Sequence, residues 1–371
     1  MRTDRRGGTG VVGWVGPRLA TTGLRRWGSD RRAGPPRQAR EICGRSFPIA
    51  DSTVERVPAA HASAPVTAPA GAWGRPEALA SRRALGALAS DYLSLTKPGV
   101  MSLLLVTEFL AMVIAARGWP GLGLSAAALA GGACASGGAA TINCWFDRDI
   151  DAVMGRTRHR PLPSGRIRPE GALAFGVGLS ILAFLLFFIL VNPLAALLSA
   201  AGGAFYVFVY TFWLKRTTKS NIVIGGAAGA VPPLVGWAAV THGVGPLGLA
   251  LFALVFLWTP PHFWALSLIV RRDYAAVSVP MRPVVVGIRR TRTSILGYTL
   301  ALVAFSCSLA IWLGPAELAV ALLLGAPFIA LSILVLREAS GMRWARQLFR
   351  FSMLYLFVFF LGTAGVAVLA R

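Results

Sequence analysis

The stretch LGLSAAALAGGACASGGAATINCWFDRDID, residues 122–151, joins a long apolar segment to a run of acidic side chains. Residues 122–143 carry no charge and are numerous enough to cross a bilayer, which takes about 20 helical residues. The acids begin only beyond that segment, at Asp147. The stretch therefore predicts a membrane-spanning helix that carries polar side chains at one face of the membrane.

The rest of the chain repeats this apolar pattern. The protein has 371 residues, of which 55% are hydrophobic and 14% charged, with a mean hydropathy of +0.63, whereas soluble domains are about 25% charged. We therefore predict an all-α polytopic membrane protein with nine transmembrane helices, in a domain of residues 86–371. The predicted spans lie at approximately 100–116, 122–143, 170–191, 194–213, 221–240, 246–268, 294–313, 316–336 and 348–370.

The distribution of charge predicts how the spans are oriented. The net charge is +22, and from the first span onward the basic residues gather in the loops after the second, fourth, sixth and eighth spans, while the alternate loops contribute only Arg117, with Arg371 at the C-terminus. Because Lys and Arg are enriched in cytoplasmic loops, we expect the N-terminus and the basic loops in the cytoplasm or matrix, and the C-terminus on the far side. Nucleic acid is not an expected partner, since these basic residues lie between spans and not on one aromatic-rich domain.

Residues 1–85 differ from the rest in composition. They are rich in Arg, Pro, Gly and Ala and lack an apolar run that could span a membrane. This composition predicts a disordered N-terminal extension. Its origin stays open between a translation start assigned too far upstream and an organelle transit peptide.

The acidic run indicates a metal site. Asn143, Asp147 and Asp151 recur at i, i+4 and i+8, so they project from one side of a helix, whereas Asp149 faces elsewhere. Three such side chains at a membrane boundary are costly unless they meet a cation or line a water-filled cavity. Mg²⁺ commonly bridges one or two carboxylates to substrate phosphates, so the stripe predicts magnesium and a diphosphate. The alternative is that the acids neutralise Arg148, Arg156 and Arg158 on a solvated loop.

Basic residues near the acids favour the diphosphate interpretation. Arginine donates bidentate hydrogen bonds to phosphate oxygens, and a metal offsets the charge that grows on a diphosphate leaving group. Donors of this kind cluster on the same predicted face: Arg156, Arg158, Arg160, Lys215, Arg216 and Lys219. Asp273 lies alone in the loop after the sixth span, where it either completes a second metal contact or pairs with Arg271 or Arg272.

The sixth span ends in an unusual string, Trp258-Thr-Pro-Pro-His-Phe-Trp264. Proline removes a backbone donor, so Pro260 and Pro261 predict a break in the helix, with His262 at the break. A histidine inside the membrane is a candidate site residue. The alternative is a histidine that only hydrogen-bonds a carbonyl freed by the prolines.

Four stretches together resemble the UbiA-type intramembrane prenyltransferases, and within them the branch that farnesylates haem. The resemblance covers roughly residues 90–370, and the string around His262 is its most specific part. The stretches are Asp91-Tyr-Leu-Ser-Leu-Thr-Lys-Pro98, Asn143 to Met154 with Arg156-Thr-Arg-His-Arg-Pro-Leu162, Lys215 to Gly226, and Trp258 to Leu266.

The resemblance implies a nine-helix bundle and a set of site residues. It implies Mg²⁺ on Asn143, Asp147 and Asp151, with Asp273 as a further catalytic acid. The diphosphate contacts that it implies are Lys97, Arg156, Arg158, Arg160, Lys215, Arg216 and Lys219, of which Arg156 and Arg160 are the weaker candidates. His262 and Tyr274 are its candidate haem contacts.

The implied reaction transfers farnesyl from farnesyl diphosphate to the 2-vinyl group of haem B with addition of water, which gives haem O and diphosphate. Haem is then a substrate, the bilayer is the setting, and a haem A synthase or a terminal oxidase assembly factor is a further candidate partner. The acidic motif resembles bacterial members, which favours a bacterial inner membrane over the mitochondrial one.

Three positions depart from the family pattern. Gly99 replaces a basic residue that usually follows the lysine-proline pair, and Arg282 replaces an aliphatic residue. Val277 stands where other members of the superfamily carry the partner of Asp273, which puts a second metal in doubt. Two alternatives remain: a prenyltransferase for a quinone precursor or a chlorophyll-type tetrapyrrole, and a secondary transporter, whose acids would lie near the membrane midplane.

Overall fold

The computed structural model describes residues 85–370, and within them nine helices are long and apolar enough to cross a membrane. This confirms the predicted all-α fold and the number of spans. The predicted extension, residues 1–85, lies outside the described residues except for Leu85. The spans, named α1 to α9, are Pro98–Ala116, Leu122–Phe146, Pro169–Leu190, Pro193–Thr217, Asn221–Thr241, Pro246–Ile269, Ile288–Leu313, Pro315–Arg337 and Arg343–Leu369.

Proline fixes where several of these helices begin. The first helical position lacks an intrahelical partner for its N–H, so proline costs nothing there and its fixed φ favours the helix. Five spans use it: Pro98, Pro169, Pro193, Pro246 and Pro315. At α4 the preceding Asn192 adds a cap, because its side-chain oxygen accepts from Ala195 N at 2.8 Å.

The spans pack in chain order and close into a ring. Each helix packs against the next, and α9 packs against α1. The most extensive of the further contacts, which cross the ring, join α1 to α5 and α6 to α9. The largest apolar core lies around α6 and α9, with Trp264, Tyr355 and Phe359 among its fully buried side chains.

Small residues let the helix backbones approach closely, as expected where lipid supplies no hydrophobic drive between helices. A Cβ at Gly236 of α5 would lie 2.1 Å from the backbone carbonyl oxygen of Glu108 in α1. A Cβ at Gly138 of α2 would lie 2.7 Å from the carbonyl oxygen of Gly176 in α3. These glycines set the spacing of the bundle.

Two helices differ from what the sequence predicts. In α4, residues Phe205–Leu214 form a π-helix, which then returns to α-helix at Lys215. In α6 the predicted break is wrong, because one helix runs through Pro260 and Pro261 to Ile269. Prolines are tolerated in membrane helices where neighbouring helices and Ser or Thr side chains satisfy the freed backbone groups.

The longer loops all lie at one end of the bundle, called here the loop face. Consecutive spans are antiparallel, so the starts of α1, α3, α5, α7 and α9 share this face with the ends of α2, α4, α6 and α8. Three short helices cover it: Arg148–Val153, Arg271–Ala276 and Arg282–Val285. Arg282, which departs from the family pattern, stacks on Trp264 at 4.8 Å and donates to Ser294 Oγ, so it fastens the third of these helices to α6 and α7.

Candidate functional site

The acidic stripe is buried at the loop face. Asn143, Asp147 and Asp151 are only 3%, 2% and 5% exposed. Their backbone keeps the helical ladder across the junction between α2 and the short helix that follows, since Asp147 N donates to Asn143 O and Asp151 N donates to Asp147 O. The predicted spacing therefore places these three side chains along one continuous, desolvated line.

Lys97 lies at the first end of this line. Its ammonium donates to Asn143 Oδ1 at 2.6 Å, although 46 residues separate the two in sequence. Asn143 Nδ2 in turn donates to Asp147 Oδ2 at 2.7 Å and to Thr211 Oγ1 at 3.2 Å. Lys97 has a φ of +54°, a left-handed conformation that non-glycine residues rarely adopt. Backbone strain of this kind concentrates at functional sites.

Two cations of α4 converge on Asp147. Lys215 donates to Asp147 Oδ2, and Arg216 Nη2 lies 3.6 Å from Asp147 Oδ1. The Oδ1 atom is buried and accepts no hydrogen bond. A buried carboxylate oxygen without a donor is costly, so this atom is the best candidate in the site for contact with a bound cation.

Sequence reasoning missed Asp149. Its carboxylate accepts two hydrogen bonds from Arg216, at 2.7 and 2.8 Å, and these hydrogen bonds hold the pKa of Asp149 below its usual value. Arg216 also donates to Phe146 O at 3.2 Å and stacks on the Phe146 ring. Asp149 therefore fixes the guanidinium beside Asp147. The signal in the sequence was the alternation Asp147-Arg-Asp149, which places a second acid within reach of the same guanidinium.

The arginine loop divides into residues that contact the stripe and residues that do not. Arg160 Nη1 donates to Asp151 Oδ2 at 2.7 Å. Arg156 and Arg158 are exposed, and Arg158 donates to the ring of His159. Lys219 is exposed as well. The acids thus pair with Arg160, Lys215 and Arg216, not with the arginines that the neutralisation alternative names.

The other two predicted residues on the second loop lie apart from these contacts. Asp273 is half-buried and makes no ion pair with Arg271, Arg272 or any other residue that the structure describes. Tyr274 is buried in the apolar core. The structure therefore shows neither an Asp273 ion pair nor its contact with the acidic stripe.

His262 is held by α9. Its Nδ1 lies 2.7 Å from Ser352 Oγ, and its ring stacks between Trp258 and Phe349 at 4.3 and 4.8 Å. The hydrogen bond goes to another helix and not to a carbonyl freed by the prolines. The ring is 8% exposed, so most of its surface is packed.

The donor set fits magnesium. Two carboxylates and one amide offer the hard oxygen ligands that Mg²⁺ prefers, and Mg²⁺ usually completes its shell with water and phosphate oxygens. Asp147 Oδ1, which accepts no hydrogen bond, supplies one such ligand. Among residues 85–370, no group of three His, Cys, Asp or Glu side chains could hold a metal ion unaided. Water or substrate oxygens would therefore complete any metal shell here.

Comparisons with known proteins give the family. The profile described as the UbiA prenyltransferase family matches residues 104–368. A protein of Symbiobacterium thermophilum named protoheme IX farnesyltransferase is 52% identical over 281 residues, covering 75% of this chain and 94% of its own. A protein of Acidiphilium cryptum with the same name is 50% identical over 294 residues, covering 76% and 92%.

A solved structure shows the same fold. A UbiA homolog from Archaeoglobus fulgidus, bound to DMAPP and Mg²⁺, superposes with a TM-score of 0.56 at 14% identity and covers 76% of this chain and all of that one (100%). The family profile and the relatives both span most of the chain. This polytopic membrane protein is therefore a member of the UbiA prenyltransferase family, and so a transferase.

Proposed function

We propose that this protein is a protohaem IX farnesyltransferase. It transfers farnesyl from farnesyl diphosphate to the 2-vinyl group of haem B, with addition of water, and releases haem O and diphosphate. The observation that carries the reaction type is the convergence of Lys97, Lys215 and Arg216 on buried Asn143 and Asp147. The acceptor rests on the names of relatives that are about 50% identical.

The residues of the stripe bind and activate the diphosphate. Asn143, Asp147 and Asp151 would hold Mg²⁺, which when bound offsets negative charge on the diphosphate. Lys97, Lys215 and Arg216 donate to the diphosphate oxygens and stabilise the charge that grows on them. Arg160 contributes from the side of Asp151, while Arg156, Arg158 and Lys219 supply charge from the exposed rim.

The bond changes balance as follows. The bond between farnesyl C1 and oxygen breaks, and its electron pair leaves with the diphosphate. The vinyl π electrons of haem form the new carbon–carbon bond, which leaves a cation on the carbon next to the porphyrin ring. Water adds to that carbon and loses a proton. The apolar helices below the stripe keep other water away from the first cation, so that the vinyl group reacts before hydrolysis does.

His262 is the proposed haem contact within α6. Its Nδ1 is fixed by Ser352, which leaves Nε2 as the nitrogen for the haem iron or a haem substituent. Tyr274 lies in the apolar core around α6 and α9, and it contributes contact area to the porphyrin ring of the haem. Asp273, which forms no ion pair among the described residues, would serve the diphosphate or a second metal only if its loop moves toward the stripe.

The orientation and setting follow from charge and from the relatives. The loop face carries the clusters of Arg and Lys, so we place it and the N-terminus in the cytoplasm, with the protein in a bacterial inner membrane. A haem A synthase or a terminal oxidase assembly factor would receive haem O from it.

A product assay tests this function. The purified full chain in detergent, with Mg²⁺, farnesyl diphosphate and haem B, should yield haem O, identified by chromatography and mass spectrometry. A quinone precursor offered in place of haem should not be prenylated. Prenylation of the quinone precursor without haem O would overturn the acceptor and leave the reaction type in place.

His262→Ala separates haem binding from diphosphate binding in the same preparation. We expect it to abolish the optical shift of bound haem and to weaken haem affinity about tenfold, while farnesyl diphosphate affinity stays as in the wild type. Unchanged haem spectra and affinity would assign the histidine to packing between Trp258 and Phe349 alone.

Replacing Asp149 should weaken substrate binding more than turnover. Asp149→Asn loses the charge that holds Arg216 in place, so we expect KM for farnesyl diphosphate to rise about tenfold with kcat within about threefold. Steady-state kinetics would measure both, and Asp149→Glu should restore KM in part because it returns the charge. A fall in kcat at unchanged KM would instead place Asp149 in the chemical step.

A further inference from the structure

We infer that the metal ion and the diphosphate bind to this site as a coupled pair, with Lys215 and Arg160 as exchangeable counter-ions of the metal ligands. The inference rests on the proposed function for the identity of the two ligands. Its basis is that the side chains assigned to the metal and those assigned to the diphosphate are bonded to each other in the structure.

Every residue of the stripe is hydrogen-bonded to a cationic side chain, and Asp147 has a second cation, Arg216, at 3.6 Å. Lys97 donates to Asn143, and the distance from Nζ to Oδ1 is 2.6 Å. Lys215 donates to Asp147 Oδ2. In the third pair Arg160 donates to an oxygen of Asp151 at 2.7 Å. Each proposed oxygen ligand of the metal therefore already carries a cation, and that cation is in every case a proposed diphosphate donor.

Burial makes these pairs hard to break singly. The Asp147 and Asp151 side chains are 3% and 7% exposed, and Lys215 is 15% exposed. Removing one partner from a buried ion pair leaves an uncompensated charge and is far more costly than losing an exposed pair. A metal that displaces Lys215 from Asp147 would leave the ammonium without a partner, and a diphosphate that draws away both Lys215 and Arg216 would leave the Asp147 carboxylate without a cation.

Binding both ligands removes this cost. The carboxylates turn to the metal, the ammonium and guanidinium groups turn to the diphosphate, and no buried charge is left unpaired. Each ligand therefore raises the affinity of the site for the other, and thermodynamic linkage makes that effect equal in both directions. The site then resists either ligand alone, which keeps free divalent cations from occupying it.

The test uses Mn²⁺ alone, followed by electron paramagnetic resonance, because free and bound Mn²⁺ give different signals. We expect Lys215→Met to bind Mn²⁺ about tenfold more tightly than the wild type, since the Lys215 ammonium no longer competes with the metal for the Asp147 carboxylate. Arg290→Met is the matched control: it removes one positive charge from an exposed position at the same loop face. Its Mn²⁺ affinity should stay within about twofold of the wild-type value.

A second experiment measures the binding of inorganic diphosphate without any metal. In this experiment the acid of the pair is replaced, in place of the base. Asp147→Asn should bind radiolabelled diphosphate about fivefold more tightly than the wild type, because Lys215 is released from its carboxylate. The variant Arg160→Gln repeats the Mn²⁺ experiment at the ion pair between the partly exposed Arg160 and Asp151, and it should also bind Mn²⁺ more tightly than the wild type. This variant takes the place of Lys215→Met if that variant fails to fold.

Weaker or unchanged Mn²⁺ binding in folded Lys215→Met and Arg160→Gln would overturn the coupling. Neither the Mn²⁺ experiment nor the diphosphate experiment contains haem or a farnesyl group, so both results are independent of the identity of the acceptor. If haem O is not formed but both variants bind Mn²⁺ more tightly, the proposed acceptor fails and the coupled site stands.

Discussion

Asp147→Asn should lower the rate of haem O formation about a thousandfold while leaving the bundle folded. The amide keeps the shape of the carboxylate but removes the charge at the centre of the site, where Lys215, Arg216 and Asn143 all converge. Removing one preorganised electrostatic contact from an active site costs about 10²–10³ in rate. Loss of a metal ligand acts in the same direction, so the upper end of that range is expected.

Single-turnover formation of haem O, followed by chromatography, measures this effect without interference from product release. Glu170→Gln is the control, because Glu170 is an exposed acid in the first turn of α3 at the same loop face. It should react at the wild-type rate. Activity of Asp147→Asn within tenfold of the wild type would mean that the stripe only neutralises its basic neighbours.

Gly236→Ala should destabilise the bundle by about 3 kcal/mol, the upper part of the range for overpacking a close contact. The added Cβ would lie 2.1 Å from the carbonyl oxygen of Glu108 and 2.9 Å from its carbonyl carbon. Both are backbone atoms of α1, so no side-chain rotation relieves the clash. Helices α1 and α5 would have to separate, and α1 begins directly after Lys97.

Gly229→Ala, in the same helix, is the matched control. A Cβ at Gly229 meets no atom within 4 Å, and alanine favours helix over glycine by up to about 1 kcal/mol. Unfolding of the two variants in detergent, by heat or by SDS, would compare them directly. Equal stability of both variants would show that the contact between Gly236 and Glu108 is loose.

The spans and the acidic stripe could be predicted because both are local patterns. An apolar run of this length is most stable inside a membrane. Side chains four residues apart share a helix face whatever the rest of the chain does. The nine predicted spans match helices of the structure for this reason. Asn143 and Asp147 likewise form a hydrogen bond as their spacing indicates.

Contacts across the bundle could not be predicted in the same way. The bond from Lys97 to Asn143 depends on how α1 meets α2 and on a positive φ at a lysine, neither of which a local pattern shows. The break expected at Pro260 is wrong, and contacts across the bundle fix this part of the helix: Trp258 Nε1 donates to Ser352 O of α9, and His262 Nδ1 lies 2.7 Å from Ser352 Oγ. Packing of α6 against α9 therefore outweighs the tendency of the two prolines to break the helix.

The π-helix of α4 makes the site sensitive to the number of residues in that segment. Lys215 and Arg216 follow directly on Phe205–Leu214, so the wider turns of this segment set the direction in which both side chains leave the helix axis. Loss of one residue there would rotate everything beyond it by about 100° on an α-helix. Both cations would then turn away from Asp147 although every amino acid of the site is still present. Natural variation in this segment should therefore consist of substitutions, with insertions and deletions confined to the opposite turns such as the one at Asn192.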